Sequence, residues 1–342
     1  MTVGDAGALA ALRQPADLVL SGGGVKFIGL VGAIAGLMDG GYSAYRVSGV
    51  SAGSVVAVIS AAASLGDQLT SGQLKELALS VPLREWRDAG PIPVLGSVLG
   101  LVRDTALYRG DFAYDWIRSE LKNLGVTTFG DLALDDEELP SERRYKVAVT
   151  VADLTAAQLV RLPWDYQRLY GLDPDEQLVA DAVRASMAIP FFYPPVQLIN
   201  NLGLTSNLVD GGVLSNFPVD SLDRTDGKCP RWPTFGITVM PKLAEGLDHL
   251  DQVFPALRPM RFLKQSALLE SLLTTMLVGH DQAHLSQPWV SARTIPIAST
   301  DVSVLDFDIS RGRLDALYER GYAAARQFLD TWDWQAYLDR FR

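Results

Sequence analysis

The chain has 342 residues, 48% of them hydrophobic and 20% charged, a balance that excludes extended disorder. Thirty Lys and Arg against forty Asp and Glu leave a net charge of −10, which argues against broad nucleic-acid binding, since that needs a concentrated basic surface. At about 150 residues per domain the length allows two domains. Without a linker, repeat or low-complexity tract to divide the chain, one large domain is expected: an extension over 1–16, a core over 17–225, and late strands and helices of the same domain over 226–342.

Asp17–Ser21 is a short apolar run ending in glycines and reads as a buried strand. From Phe27 to Gly40 the apolar residues Ile28, Leu30, Val31, Ile34, Leu37 and Met38 recur at helical spacing. Arg46–Val50 is a second strand, and Ser54–Leu65 a nearly all-apolar second helix. Strand, glycine loop, helix, strand and helix in this order open a mainly parallel sheet, so the fold expected is a three-layer α/β/α architecture. Further along, 91–102 is apolar and rich in Gly and Pro, and 135–144 reads as a solvated loop. Residues 145–153 and 157–162 alternate as paired strands, and 179–190 is a helix halted by Pro190. Strands follow at 234–240 and 293–297, with a helix between them over 268–285. Leu314, Leu317, Gly321, Ala324 and Phe328 share one face of the last long helix.

The N-terminal stretch 1–17 carries an acidic residue early, Asp5, and lacks a basic start followed by a long apolar run, so it does not read as a secretion signal. No apolar stretch reaches about 20 uninterrupted residues, so no membrane span is expected and a cytoplasmic location is. Cys229 has no intramolecular partner and reads as a bystander thiol.

Three motifs carry chemistry. Gly49-Val50-Ser51-Ala52-Gly53 is G-x-S-x-G between a predicted strand and a predicted helix, the context that a nucleophilic serine on a tight turn requires. Residues two before and two after the serine crowd each other there, so both are glycine. The plain alternative is a chance glycine-serine turn. Ser21-Gly22-Gly23-Gly24-Val25-Lys26 ends the first strand, and three glycines let backbone N–H groups converge on an anion, as an oxyanion hole needs. A phosphate loop lacks its Ser or Thr after Lys26, where Phe27 stands, and a dinucleotide fingerprint lacks its third glycine. Asp210-Gly211-Gly212, followed by Asn216 and Pro218, puts a carboxylate on a glycine turn, either as a general base or as an ordinary Asx-turn.

Together, in this order and spacing, these motifs resemble the patatin-like phospholipase family. Val183–Pro190, Tyr108–Asp111 and Thr127–Leu132 are similar to further segments of bacterial members. The resemblance covers roughly residues 17–220 and continues more weakly to about 330. It implies a serine lipid acyl hydrolase with a Ser51–Asp210 dyad, an acyl-enzyme intermediate, and an oxyanion site of the amides of Gly22, Gly23, Gly24 and Val25. Gly49, Gly53, Gly211 and Gly212 shape the two turns. No metal or other cofactor is implied. The expected partner is a phospholipid or other glycerolipid ester, with transient contact at a membrane surface. Phe27 stands where the family usually has glycine, which leads us to expect it at the border of the acyl pocket or packed beneath it.

The chain has three histidines, His249, His280 and His284. The last two lie four apart in a helical pattern with no third ligand evident, and read as surface or packing residues. His249 is the candidate for a rival, triad esterase. The other rival is a non-catalytic lipid-binding protein on the same scaffold. For lipid contact the candidates are the apolar segment 91–102, either a flap or an ordinary buried segment, and the basic trio Arg258, Arg261 and Lys264, which reads rather as a solvated helix start.

Overall fold

The first strand, β1 (Gln14–Leu20), buries its last five residues, as a parallel strand covered on both faces must. A computed structural model describes residues 13–65, 69–88, 106–239, 282–299, 301, 302, 304 and 306–342. Helix α1 (Phe27–Asp39) follows β1 and leads into β2 (Tyr42–Val50), which starts four residues before the expected strand. Helix α2 (Ala52–Ala63) follows directly. The rest of the described chain adds α3 (Ser71–Leu79), α4 (Asp111–Asn123), β3 (Val147–Asp153), β4 (Gln158–Leu162), α5 (Val179–Ser186), β5 (Val196–Ile199), β6 (Thr205–Asp210), β7 (Thr234–Thr238), β8 (Thr294–Pro296), α6 (Arg311–Leu329) and α7 (Trp334–Phe341).

The strands form one sheet in the order β5-β6-β3-β2-β1-β7-β8, with β4 paired to β3 off this path. All pairs among β8, β7, β1, β2 and β3 are parallel, while β4 and β6 run antiparallel to β3. Helices flank this mainly parallel sheet, giving the α/β/α fold expected from the sequence. The β5–β6 hairpin is absent from the sequence reading; Pro194-Pro195 before it masks its short alternation.

The register on β3 matters for the site. β4 pairs with residues 149–153 of β3, β2 with 147–150 and β6 with 151–153. Each strand has two edges, so β2 and β6 lie end to end on the edge that β4 leaves open. Val50, the last residue of β2, faces Thr150, and Asp210, the last of β6, faces Val151. Two segments 160 positions apart therefore meet at one point on the sheet.

Packing behind this point is close. A Cβ on Gly321 of α6 would lie 1.9 Å from the Gly29 carbonyl oxygen of α1, and one on Gly32 would lie 2.0 Å from that of Tyr318. The buried face of α6 is Leu314, Leu317, Tyr318, Gly321 and Ala325, one position off the expected Ala324. Residues 135–144 are not wholly a solvated loop: Asp136 is buried, accepts from the Tyr45 hydroxyl at 2.7 Å and pairs with Arg231. The helix expected over 268–285 lies outside the described residues except for its end, Gln282–Leu285, which is helical.

Candidate active site

Ser51 follows the last residue of β2 and precedes α2. Its backbone, at φ 53° and ψ −130°, sits in a region that non-glycine residues occupy only when their surroundings force it. The crowding argued from the sequence is present. A Cβ on Gly49 would lie 2.3 Å from the Gly53 carbonyl oxygen, and one on Gly53 would lie 2.4 Å from that of Ser21. The elbow is pinned by Ser186, at the end of α5: the Ser51 N–H donates to Ser186 Oγ at 2.8 Å, and that hydroxyl donates to the Thr150 carbonyl at 2.7 Å. Ser54 closes the other side, its hydroxyl donating to the Ser51 carbonyl at 2.6 Å.

Asp210 is fully buried. Its Oδ1 accepts from the Gly212 N–H at 2.8 Å, so the Asx-turn exists, but it occupies only one carboxyl oxygen. Oδ2 makes no hydrogen bond of ordinary length and angle. Burial pushes the carboxyl's pKa up to about 7, against the Ser51 side chain and the Gly212 N–H, which both lower it. The serine hydroxyl thus stands within electrostatic reach of the aspartate without a closed hydrogen bond, a state common in sites that tighten on their substrate. Gly211 is required by space, because a Cβ there would lie 2.5 Å from the Thr150 carbonyl oxygen. The Asp210 N–H donates to Ala188 O at 3.0 Å, so the turn after α5 secures both residues.

The glycine loop lies against the elbow. A Cβ on Gly22 would meet Asn216 Oδ1 at 2.1 Å and Ser51 Cβ at 3.1 Å. Gly24 has φ +54°, and a Cβ there would lie 1.9 Å from the Val304 carbonyl oxygen. Of the four amides expected to face an oxyanion, two are committed elsewhere. The Gly22 N–H donates to Asn216 O at 3.1 Å and the Val25 N–H to Val304 O at 3.0 Å. Gly23 and Gly24 make no backbone hydrogen bond through their N–H groups among the described residues. The physical reason is that the loop must be anchored at both ends to hold its shape, which uses the outer amides.

Lys26 is buried, and burial brings its ammonium down to about 8 against the opposing charge of Asp301. Phe27 is the first residue of α1, buried and stacked on Trp86 at 6.4 Å; it borders an apolar cavity with Val31, Val56, Ile59 and Trp116. It is a packing residue of the α1–α2–α3 layer.

The remaining quoted segments are structural. Asp88 accepts from the N–H groups of Arg109, Gly110 and Phe112 and so caps α4, while Asp131 accepts from those of Thr127 and Thr128. His284 packs its ring on Trp289 at 5.3 Å. His249, His280, the segment 91–102 and the trio Arg258, Arg261 and Lys264 lie outside the described residues. Among the described residues, no three His, Cys, Asp or Glu gather as a metal site. No helix among them is long and apolar enough to cross a membrane. Ser186 is the site residue that sequence reasoning missed as an individual. It stands in the quoted stretch Val183–Pro190, but nothing in a helix-end serine signals a bond to a residue 135 positions away.

An α/β sheet with a strained serine elbow, a glycine loop beside it and a buried aspartate at the meeting of two strand ends defines a hydrolase-type scaffold. The chain belongs to the patatin-like phospholipase family, a family of lipid hydrolases, whose family model matches residues 18–223. It is 32% identical to the uncharacterized protein YqhO of Bacillus subtilis (strain 168) over 321 residues, 92% of this chain and 98% of that one. Among solved structures it is similar to VipD from Legionella pneumophila, with TM-score 0.50 and 19% identity over 94% of this chain and 67% of that one. ExoU of the Pseudomonas aeruginosa type III secretion system, solved with SpcU, aligns with TM-score 0.46 and 17% identity over 93% of this chain and 53% of ExoU.

Proposed function

We propose that this protein hydrolyses fatty-acyl esters of phospholipids or other glycerolipids through a Ser51–Asp210 dyad. The observation that carries the reading is a buried carboxyl with a pKa of about 7 next to a serine held in a strained elbow. A carboxylate in water is too weak a base to activate a hydroxyl; one desolvated until its pKa approaches neutrality is matched to that task.

The steps follow from the residues. Ser51 Oγ attacks the ester carbonyl carbon while its proton passes to the free Oδ2 of Asp210. The carbonyl π electrons move onto oxygen, and the Gly23 and Gly24 N–H groups stabilise that oxyanion. Because the Ser51 N–H is engaged by Ser186, it takes no part in the oxyanion site. Collapse breaks the bond to the alcohol, which leaves with the proton from Asp210 as a lysolipid or free alcohol. Water then attacks the acyl-serine by the same route, giving a fatty acid and free Ser51.

A fluorophosphonate probe tests the reading together with turnover on a panel of defined lipids. Labelling at Ser51, lost in Ser51→Ala, and comparable inactivity of Ser51→Ala, Asp210→Asn and the double variant are expected, since residues acting as one unit are not additive. Near-normal turnover by Asp210→Asn would return the base to His249 or water. Absence of labelling would leave a lipid-binding protein.

A further inference from the structure

From Ala185 to Val209 the chain runs twenty-five residues without an Asp, Glu, Lys or Arg, although these make up 20% of the protein. The second half of this run is the β5–β6 hairpin, whose turn spans 200–204. Because β6 is antiparallel to β3, with Leu208 opposite Asp153, the turn projects past the C-terminal end of β3, on the sheet edge that holds Ser51 and Asp210. At about 3.4 Å per residue, β6 carries it ~17 Å beyond Asp210. Ile199 is 60% exposed, Leu202 77% and Leu204 63%. Leu154, 52% exposed, extends the patch from the β3–β4 turn, which is tied to the hairpin by Leu154 N–H to Asn207 O and Asn207 N–H to Thr155 Oγ1, both 2.9 Å.

The turn satisfies its own backbone donors. All five of its backbone N–H groups have acceptors within the protein. Asn200 N–H donates to Leu204 O at 2.9 Å, Asn201 N–H to Tyr170 O at 3.0 Å and Gly203 N–H to Asn200 O at 3.0 Å. Leu202 N–H and Leu204 N–H both donate to Asn200 Oδ1 at 2.9 Å. None of these N–H groups therefore has to shed a bound water if the turn enters an apolar medium.

We propose that Leu154, Ile199, Leu202 and Leu204 form the tip by which the protein docks on a lipid surface, sinking to the boundary between headgroups and acyl chains. Catalysis at this surface rests on the acyl-hydrolase reading; the docking itself does not. Docking is apolar: the tip has no basic residue, and a net charge of −10 gives no general attraction to anionic lipid. Binding therefore depends little on salt and is at least as strong on phosphatidylcholine vesicles as on vesicles enriched in phosphatidylglycerol.

The test is flotation of the full chain, in a Ser51→Ala background so that lipid is not consumed, with phosphatidylcholine vesicles. The double variant Leu202→Ser, Leu204→Ser loses about a hundredfold in binding, from two leucines withdrawn from the apolar phase. With Ser51 intact, the same double variant hydrolyses a short-chain soluble ester at the parent rate, which shows that it is folded. Leu202→Trp keeps binding and adds fluorescence that shifts to the blue with vesicles. Failure of the Ser51→Ala chain to float, unchanged flotation of the double variant, or a dimer that the double variant dissolves overturns the proposal. Tip-dependent flotation without ester hydrolysis would refute the acyl-hydrolase reading alone, and hydrolysis with tip-independent flotation would refute the docking surface alone.

Discussion

Asp210→Asn removes the proposed base and is expected to make the protein more stable near neutral pH. In the folded protein burial raises the Asp210 pKa from 3.8 to about 7. A carboxyl that keeps its proton to about pH 7 when folded, but loses it near 3.8 when unfolded, disfavours folding once the solution is alkaline enough to ionise both states. Well below 3.8 both states are protonated and the group is neutral to stability; as pH rises from there toward 7 the penalty builds progressively. With each pKa step worth 1.36 kcal/mol, the full penalty is about 4 kcal/mol above pH 7 and roughly 2 kcal/mol near pH 5. Asparagine carries no charge and keeps an acceptor for the Gly212 N–H, now bonded to Oδ1 at 2.8 Å. Its new amide group must find an acceptor, so ~4 kcal/mol is an upper limit. Urea unfolding of parent and variant, followed by tryptophan fluorescence near pH 5 and pH 8, measures the difference directly; at an m-value of about 3 kcal/mol per molar it is at most about 1.3 M in midpoint at the higher pH. Comparing two proteins at each pH cancels the other titrating groups. A variant that is no more stable than the parent at pH 8, or equally stabilised at both values, would refute the reasoning that Asp210 is held with its proton by burial.

The same group sets the pH dependence of turnover: kcat/KM on a soluble ester falls about tenfold per pH unit below about 7 and levels off above it, and a flat profile between about pH 5 and 8 would exclude Asp210 as the base. Ser186→Ala strands the Ser51 amide and the Thr150 carbonyl; it should lower kcat by at least about tenfold with little change in KM, while chemical denaturation shows a loss of roughly 2–4 kcal/mol. Gly22→Ala places a methyl group against Asn216 Oδ1 and Ser51 Cβ, and should abolish most phosphonate labelling at Ser51 while thermal unfolding remains cooperative. Phe27→Ala opens a cavity under the Trp86 ring and should cost about 3–5 kcal/mol by urea titration, with little effect on acyl chain-length preference.

The local chemistry of this protein is legible in its sequence because the motifs are steric. Gly49 and Gly53 flank Ser51 because their backbones touch, and Gly211 follows Asp210 because the Thr150 carbonyl leaves no room for a Cβ. The strand–glycine loop–helix order of the first fifty residues likewise carries the parallel α/β class, since short apolar runs alternating with helical patterns read as strands buried on both faces of a sheet. Tertiary structure alone decided the rest, because it depends on pairs remote in sequence. The meeting of Val50 with Asp210 is a matter of which strands share one edge of β3. That Gly23 and Gly24, rather than Gly22 and Val25, keep amides without a backbone acceptor among the described residues depends on Asn216 and Val304, nearly 200 and 280 residues away. Phe27 became a core residue because Trp86 lies over it, and the Asp210 carboxyl keeps its proton up to about pH 7 because the fold removes it from water. Steric rules act between neighbours and are written in neighbouring letters; hydrogen bonding, register and desolvation act across the folded volume, where no local pattern records them.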